Sequence, residues 1–316
     1  MRIGFVGLGV VGQPMARRLL QAGHTLVVHD LRPSAGQPLV AEGATWAARP
    51  GEVAAASEVV FTSLPGPPEV EAVALGEGGL LAAAAPGLIY LDTTTVGPAC
   101  IRRVAAAAEP RGVHVLDVAV SQGPRRAEEG DLSLWVGGDE AIFERVRPLL
   151  DVVGSHILYC GPVGCGQITK LVNNLTSQCI NVALGETLSL GVRAGVPLET
   201  LCAALATGTA QTRTLDELLP RGLFRGNLQP GFRLDLAAKD VRLATDLGRE
   251  LRLPLPLANL VDQTYVAAQA RGLGSLSTHA VIRLIEDAAG LTLRYQDARP
   301  SGDGATAGHD NETARP

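Results

Sequence analysis

The chain has 316 residues, of which 46% are hydrophobic and only 3% aromatic, and its formal net charge is −5. This length suits two domains of ordinary size, with packing left to Ala, Val, Leu and Gly. The mild negative charge argues against a general nucleic-acid surface, and no stretch approaches the ~18 uninterrupted apolar residues of a membrane span.

Residues 1 to about 160 alternate short β-type runs with Ala-rich helical stretches. Arg2 to Gly7 reads as a buried strand and Gln13 to Ala22 as a helix. Further strands are expected at Thr25 to Asp30, Val59 to Ser63, Leu88 to Asp92, Val113 to Val118 and Leu132 to Val136. Strands separated by helices imply parallel pairing and a doubly wound α/β sheet. After Gly161 the pattern turns helical. One long proline-free stretch runs from Gly166 to about Ala194. Shorter ones follow at Leu198 to Ala206, Thr214 to Leu219, Leu236 to Arg252, Leu257 to Arg271 and Thr278 to Ala289. The expected organisation is therefore a doubly wound α/β domain of Rossmann type over 1–162 and an all-α domain over 163–292. The segment 296–316 is rich in Gly, Pro, Asp, Ser and Thr without an apolar period, and is expected to be a disordered tail.

The apolar N-terminus is interrupted by glycines and followed by Arg17 and Arg18 rather than a cleavage site, so no signal peptide is expected. The five cysteines, Cys100, Cys160, Cys165, Cys179 and Cys202, are odd in number and scattered. They form neither a disulfide framework nor a C-x-x-C pair, which points to a reducing, cytoplasmic setting. No metal site is expected.

Gly7-Leu8-Gly9-Val10-Val11-Gly12 follows the first strand and opens the first helix. In that context Gly7 permits a tight turn, Gly9 lets backbone approach a pyrophosphate, and Gly12 allows close helix–strand packing. The helix N-terminus offers free N–H groups to the phosphates. Asp30 ends the second strand, where a carboxylate accepts hydrogen bonds from a ribose diol and repels a 2′-phosphate. This favours NAD, while Arg32 two residues on keeps NADP open. Ser63-Leu64-Pro65 and Asp92-Thr93-Thr94-Thr95 also end strands. The three threonine hydroxyls suit either the nicotinamide end of the cofactor or capping and turn formation before Pro98.

Asp117-Val118-Ala119-Val120-Ser121-Gln122-Gly123 closes another strand. A serine hydroxyl and backbone N–H groups in a glycine-containing turn suit a carboxylate. Arg125 and Arg126 fit either recognition of a second anionic group or plain surface charge, the latter being the simpler account. Lys170 and Asn174 lie four apart on one face of the long helix, and Ser177 and Asn181 continue the stripe beside apolar Ile168, Leu171, Val172, Leu175 and Cys179. Such a stripe normally faces water, but this one starts at the junction of the two halves, where clefts form. Lys239 and Asp240 are placed either at the same cleft or as surface charges, and the sequence leaves both readings open.

Taken in order, these motifs resemble the β-hydroxyacid dehydrogenase family, which includes 3-hydroxyisobutyrate dehydrogenase and tartronate semialdehyde reductase and is related to 6-phosphogluconate dehydrogenase. The resemblance covers roughly residues 1 to 290. It rests on Ile3 to Ala16, Leu64-Pro65, Asp92 to Thr95, Asp117 to Gly123, Gly161 to Asn174 and Lys239-Asp240. It implies that Lys170 is the catalytic lysine, that Asn174 helps hold the substrate, and that Ser121 and Gly123 form the carboxylate-binding turn. Thr95 and Lys239 match positions beside the nicotinamide, residues 1–162 are implied to be an NAD(P)-binding domain, and the helical half, 163–292, is implied to serve substrate binding and oligomerisation into homodimers or homotetramers. The family turn commonly reads Asp-Ala-Pro-Val-Ser-Gly-Gly. Here Val118, Ala119 and Gln122 replace Ala, Pro and the first Gly, and Gln122 adds a side chain beside the substrate.

The expected activity is reversible NAD(P)-dependent oxidation of a small-molecule 3-hydroxy acid to its semialdehyde or 3-oxo acid, with Lys170 as acid/base. The alternatives are oxidative decarboxylation of a sugar acid and a non-catalytic dinucleotide-binding regulator.

Overall fold

The computed structural model describes residues 1–295; the expected tail at 296–316 lies outside them. Eight strands form one sheet: β1 (Arg2–Val6), β2 (Thr25–His29), β3 (Thr45–Trp46), β4 (Val59–Thr62), β5 (Ile89–Asp92), β6 (His114–Ser121), β7 (Leu132–Gly137) and β8 (Gly154–Gly161). Their spatial order is β3-β2-β1-β4-β5-β6-β7-β8, so the chain reverses direction beside β1. That switch point is where ligands bind in open α/β sheets. Between the strands run α1 (Gly12–Gln21), α2 (Pro33–Ala41), α3 (Pro50–Ala55), α4 (Pro67–Leu75), α5 (Leu80–Ala83), α6 (Pro98–Ala108), α7 (Gly123–Glu129) and α8 (Glu140–Val153). Helices α2, α3, α4 and α6 each begin at a proline, whose missing N–H costs nothing in the first turn.

Strands β4 and β5 are buried at every residue, as a central strand covered by helices on both faces must be. One face carries a core of Ile3, Phe5, Val28 and Phe61 under α1 and α8. Phe5 and Phe61 stack there at 5.7 Å between ring centroids. The other face carries Val6, Val60, Tyr90 and Val104.

Three features of the sheet differ from the sequence reading. β3 has only two residues, too few for a periodic signal. β8 is an edge strand with Leu158 exposed, so its apolar run is broken. The doubly wound sheet is not wholly parallel, because β6 and β7 pair antiparallel, with Asp117 opposite Gly137 and Ser121 opposite Ser133. The connection between them holds only the short α7, and a parallel crossover needs about a dozen residues or more.

The second half is helical: α9 (Cys165–Arg193), α10 (Leu198–Ala206), α11 (Leu219–Arg221), α12 (Leu234–Glu250), α13 (Pro256–Ala270) and α14 (Arg283–Ala289). The stretch at Thr214–Leu218 is a wider turn of π type, and Thr278–Ile282 is 3₁₀ rather than the start of a single α-helix. A separate core of Leu188, Leu234, Val241 and Tyr265 holds these helices. Helix α9 spans about 44 Å at ~1.5 Å per residue, and it packs against both β6 and β7 and against α12. It is the element that joins the two halves. No helix among the described residues is long and apolar enough to cross a membrane.

Candidate active site

The loop between β1 and α1 is shaped by its glycines. Gly7 has φ +93°, and a Cβ there would collide with the Ser63 carbonyl oxygen; a Cβ on Gly12 would collide with the carbonyl oxygen of Gly7. A Cβ on Gly9 would meet nothing within 4 Å, so this backbone faces open space. The first turn of α1 has no side-chain cap and no acidic residue. Gln13 N already donates to Gly9 O and Pro14 has no N–H, so what this turn offers a pyrophosphate is chiefly the positive end of the helix dipole. Leu8 is buried, Val10 is exposed and Val11 is half-buried. Asp30 stands beside this loop. Its Oδ2 accepts from Leu8 N at 2.8 Å and its Oδ1 from Arg32 N at 2.8 Å, while the exposed Arg32 guanidinium lies 3.6 Å away. These features fit a dinucleotide, with Asp30 placed for a ribose diol.

The strand ends beside it are tied together. Thr94 Oγ1 accepts from Leu64 N at 3.0 Å, and Thr93 Oγ1 donates to Thr62 O at 2.6 Å. Both side chains are buried, so two of the three threonine hydroxyls serve the scaffold and only Thr95 remains half-exposed. Asp92 lies beneath them, accepting from Thr62 Oγ1 at 2.7 Å, and burial pushes its carboxyl up to about 6. Lys239 crosses from α12 to this edge. Its Nζ donates to Thr95 O at 2.6 Å, and its stem lies over Gly66, next to Pro65.

The start of α9 is held by two residues that the sequence reading did not assign. Asp117, fully buried at the middle of β6, accepts from Gly164 N at 2.6 Å and from Gln167 N at 2.8 Å. Gln167, also fully buried, donates to Thr94 O at 2.7 Å and accepts from Val96 N at 3.0 Å. No local pattern announces either role, because the partners are 47 to 73 residues away.

This clamp positions Lys170 one turn further on. Lys170 is only 9% exposed, and its Nζ sits 5.9 Å from the centroid of the Trp135 ring. Burial pulls its amine down to about 8; the Asp240 carboxylate opposes that shift and the Lys239 ammonium adds to it. Asn174 is buried on the same face, with Nδ2 donating to Asp240 Oδ2 at 2.6 Å. Asp240 is 1% exposed and also pairs with Lys239 Nζ at 3.0 Å. Asp240 thus joins Asn174 to Lys239, Lys239 reaches on to Thr95, and Lys170 feels the pair through charge alone, so Lys239-Asp240 is not plain surface charge.

The stripe continues differently from the expected one. Gln178 and Asn181 are buried, whereas Ser177 is half-buried. Gln178 Oε1 accepts from Tyr265 and Thr278, which makes it part of the helical core. Val172, read as part of the apolar strip, is 59% exposed.

Ser121, Gln122 and Gly123 end β6 and begin α7. Gln122 has φ +91°, and its Oε1 accepts from Arg213 Nη1 at 2.5 Å, a contact between the two halves that the sequence did not signal. Arg125 and Arg126 pair with Glu129 and Asp131 on the surface. A surface depression of about 790 Å³, lined by Arg102, His114, Glu140 and Tyr159 among others, contains none of these residues.

A dinucleotide cradle at the sheet's switch point, with a buried amine of lowered basicity presented by the adjoining helix, defines the class of nicotinamide-dependent oxidoreductases. The comparisons narrow the class. Residues 2–161 match the NAD binding domain of 6-phosphogluconate dehydrogenase, and residues 164–285 match the NAD-binding domain of NADP-dependent 3-hydroxyisobutyrate dehydrogenase. The chain is 36% identical to 2-(hydroxymethyl)glutarate dehydrogenase of Eubacterium barkeri, over 93% of this chain and 97% of that protein. It is 35% identical to 2-hydroxy-3-oxopropionate reductase of Escherichia coli, over 90% and 97% of the two chains. The structure of 3-hydroxyisobutyrate dehydrogenase from Mycobacterium tuberculosis with L-serine superposes with a TM-score of 0.84 at 31% identity, covering 90% of this chain and 98% of that one. The chain belongs to the β-hydroxyacid dehydrogenase family and is an NAD(P)-dependent oxidoreductase.

Proposed function

We propose that this chain catalyses the reversible oxidation of a 3-hydroxy carboxylic acid to its semialdehyde or 3-oxo acid, with Lys170 as the acid/base. The nicotinamide cofactor supplies the hydride acceptor. Gly7, Leu8, Gly9, Val10, Val11 and Gly12 hold its pyrophosphate. Asp30 holds the adenosine ribose, with NAD preferred, and Leu64, Pro65, Thr95 and Lys239 line its nicotinamide end. Ser121, Gln122 and the backbone of Gly123 bind the substrate carboxylate and its surroundings. Asn174, its amide held by Asp240, orients the reacting hydroxyl. Lys170 Nζ takes the hydroxyl proton during oxidation and returns it during reduction.

The observation that carries this reading is the buried amine of Lys170, lowered from 10.5 to about 8. At pH 7 about one amine in ten is then free base, some 300-fold more than for an unperturbed lysine. Basicity close to the working pH serves proton transfer in both directions. The test is spectrophotometric: NADH or NADPH formation across a panel of 3-hydroxy acids, with NAD and NADP compared side by side. Turnover of none of them would end the proposal.

The same reading includes association into a homodimer or homotetramer through the helical half. Leu251, Leu253, Leu257 and Leu260, each more than half exposed where α12 meets α13, support it. Light scattering on the purified protein measures the subunit count. The odd, scattered cysteines support a cytoplasmic setting.

A further inference from the structure

Lys170 Nζ makes no hydrogen bond or ion pair among the described residues, and Asp240 and Lys239 act on it through charge alone. Its direct partner is the half-buried indole of Trp135, over which Nζ stands 5.9 Å from the ring centroid. A lysine carries its ammonium on a flexible four-carbon stem, so its head stays in one place only where something holds it. Strand β7 puts the ring there. Leu132, Leu134 and Val136 enter the core under α1 and α8, while the alternate residues Ser133, Trp135 and Gly137 face α9. A Cβ on Gly166 would collide with Trp135 O, so α9 rests on the backbone of β7 one turn before Lys170. Opposite Trp135 on β6 is Ala119, whose single methyl group takes little room beside the indole. Two residues on, and on the same face, Ser121 stands opposite Ser133. The ring therefore adjoins the row that carries Ser121, with Lys170 above it.

An aromatic face attracts a cation and not a neutral amine, and indole does so most strongly of the side-chain rings. Other charged groups at this end of α9 are few and mostly occupied. Asp240 and Lys239 come from α12. Asp117 of β6 is bound to the α9 backbone, Arg102 of α6 to Val163 O, and His156 of β8 to Ser155. Strand β7 brings the indole and no charge. Resting on the reaction proposed above, we infer that Trp135 is a positioning residue: its indole face holds the Lys170 ammonium in place for proton exchange with the substrate oxygen and favours the ammonium over the free amine.

Two measurements test it, and the first needs no substrate. The chain has two tryptophans, and Trp46 lies on β3 at the far edge of the sheet. Tryptophan emission of the unliganded wild type should change as the pH passes through about 8 and Lys170 loses its proton. That change should be missing from Lys170→Met; the same pH dependence in both proteins overturns the inference. The second measurement is the pH dependence of turnover. Trp135→Leu removes the ring and should lower the plateau kcat about tenfold or more as the amine loses its seat. KM should change little, because Ser121 and Asn174 still hold the substrate. The apparent pKa of Lys170 should fall by about 0.5 to 1 on the pH scale, in oxidation and reduction alike. Trp135→Phe keeps an aromatic face and should restore much of both. A pKa that stays in place in Trp135→Leu, or equal losses in the leucine and phenylalanine variants, overturns the inference, since a merely structural wall would behave so. If Trp135→Leu does not fold, the emission titration decides by itself. If no 3-hydroxy acid is oxidised, the proposed reaction fails, and the same titration still decides whether the ring holds the amine.

Discussion

Replacing Lys170 by methionine should make the protein more stable and nearly inactive at once. The amine is buried, and its pKa falls from 10.5 in the unfolded chain to about 8 in the native state. A protonated lysine in that position opposes folding. At about 1.4 kcal/mol per pH unit the penalty is ~3 kcal/mol, fully present below about pH 8. Between about 8 and 10.5 the native state has released its proton while the unfolded chain still holds one, so stability rises with pH and the penalty disappears. Methionine has a similar length and no charge, and Asp240 keeps Lys239 as a partner at 3.0 Å. Lys170→Met should therefore gain up to ~3 kcal/mol at pH 7. The gap to wild type should close as pH approaches 10. Denaturation of the unliganded protein between pH 6 and 10 measures the gain, expected as a rise in Tm of several degrees. Turnover should fall by about 100- to 10,000-fold, the usual contribution of a general acid/base. No stability gain at pH 7, or a gap that stays constant through pH 8 to 10, would refute the desolvation argument. Turnover within about tenfold of wild type would remove Lys170 from its role.

Asp240→Asn removes the charge that holds the Lys170 pKa up, so the apparent pKa of turnover should move down. KM should rise as Asn174 loses its carboxylate anchor, and a pH–rate profile that stays in place would count against the network. Asp117→Ala strips the partners from Gly164 N and Gln167 N, and each buried unsatisfied group costs about 1–3 kcal/mol. The expected result, read by chemical denaturation, is a less stable protein with reduced kcat, because Lys170 stands on the turn that Asp117 anchors; unchanged stability would deny that anchor. Gln122→Gly relieves a positive φ and should raise stability by up to about 1 kcal/mol, measurable as a higher Tm; a fall in Tm would mean the Arg213 contact outweighs the strain.

Much of the site is legible along the chain because its parts are local devices. The glycines of 7–12, the carboxylate at Asp30 and the four-residue spacing of Lys170 and Asn174 each act within one turn or one strand–helix unit. Apolar runs bounded by glycine and proline likewise mark six of the seven longer strands, and the start of α9 is off by a single residue. What fails locally is what depends on neighbours. The edge strand β8 loses its apolar signature because one side meets solvent. The threonines at 93 and 94 look identical to Thr95 in sequence, yet their hydroxyls are engaged by Thr62 of the adjacent strand and by Leu64 just beyond it.

The amino-acid order by itself determined that this protein is an α/β nucleotide binder followed by helices, because hydrophobic period and glycine geometry are short-range properties. Only the tertiary structure decided that Lys170 is dry, that Asp240 organises Asn174 and Lys239, that Asp117 and Gln167 pin the helix beneath them, and that Arg213 reaches Gln122. The basicity of an amine and the use of a carboxylate are set by burial and by charges within a few ångströms. For Lys170 those charges are Asp240 and Lys239, on a helix far from it along the chain.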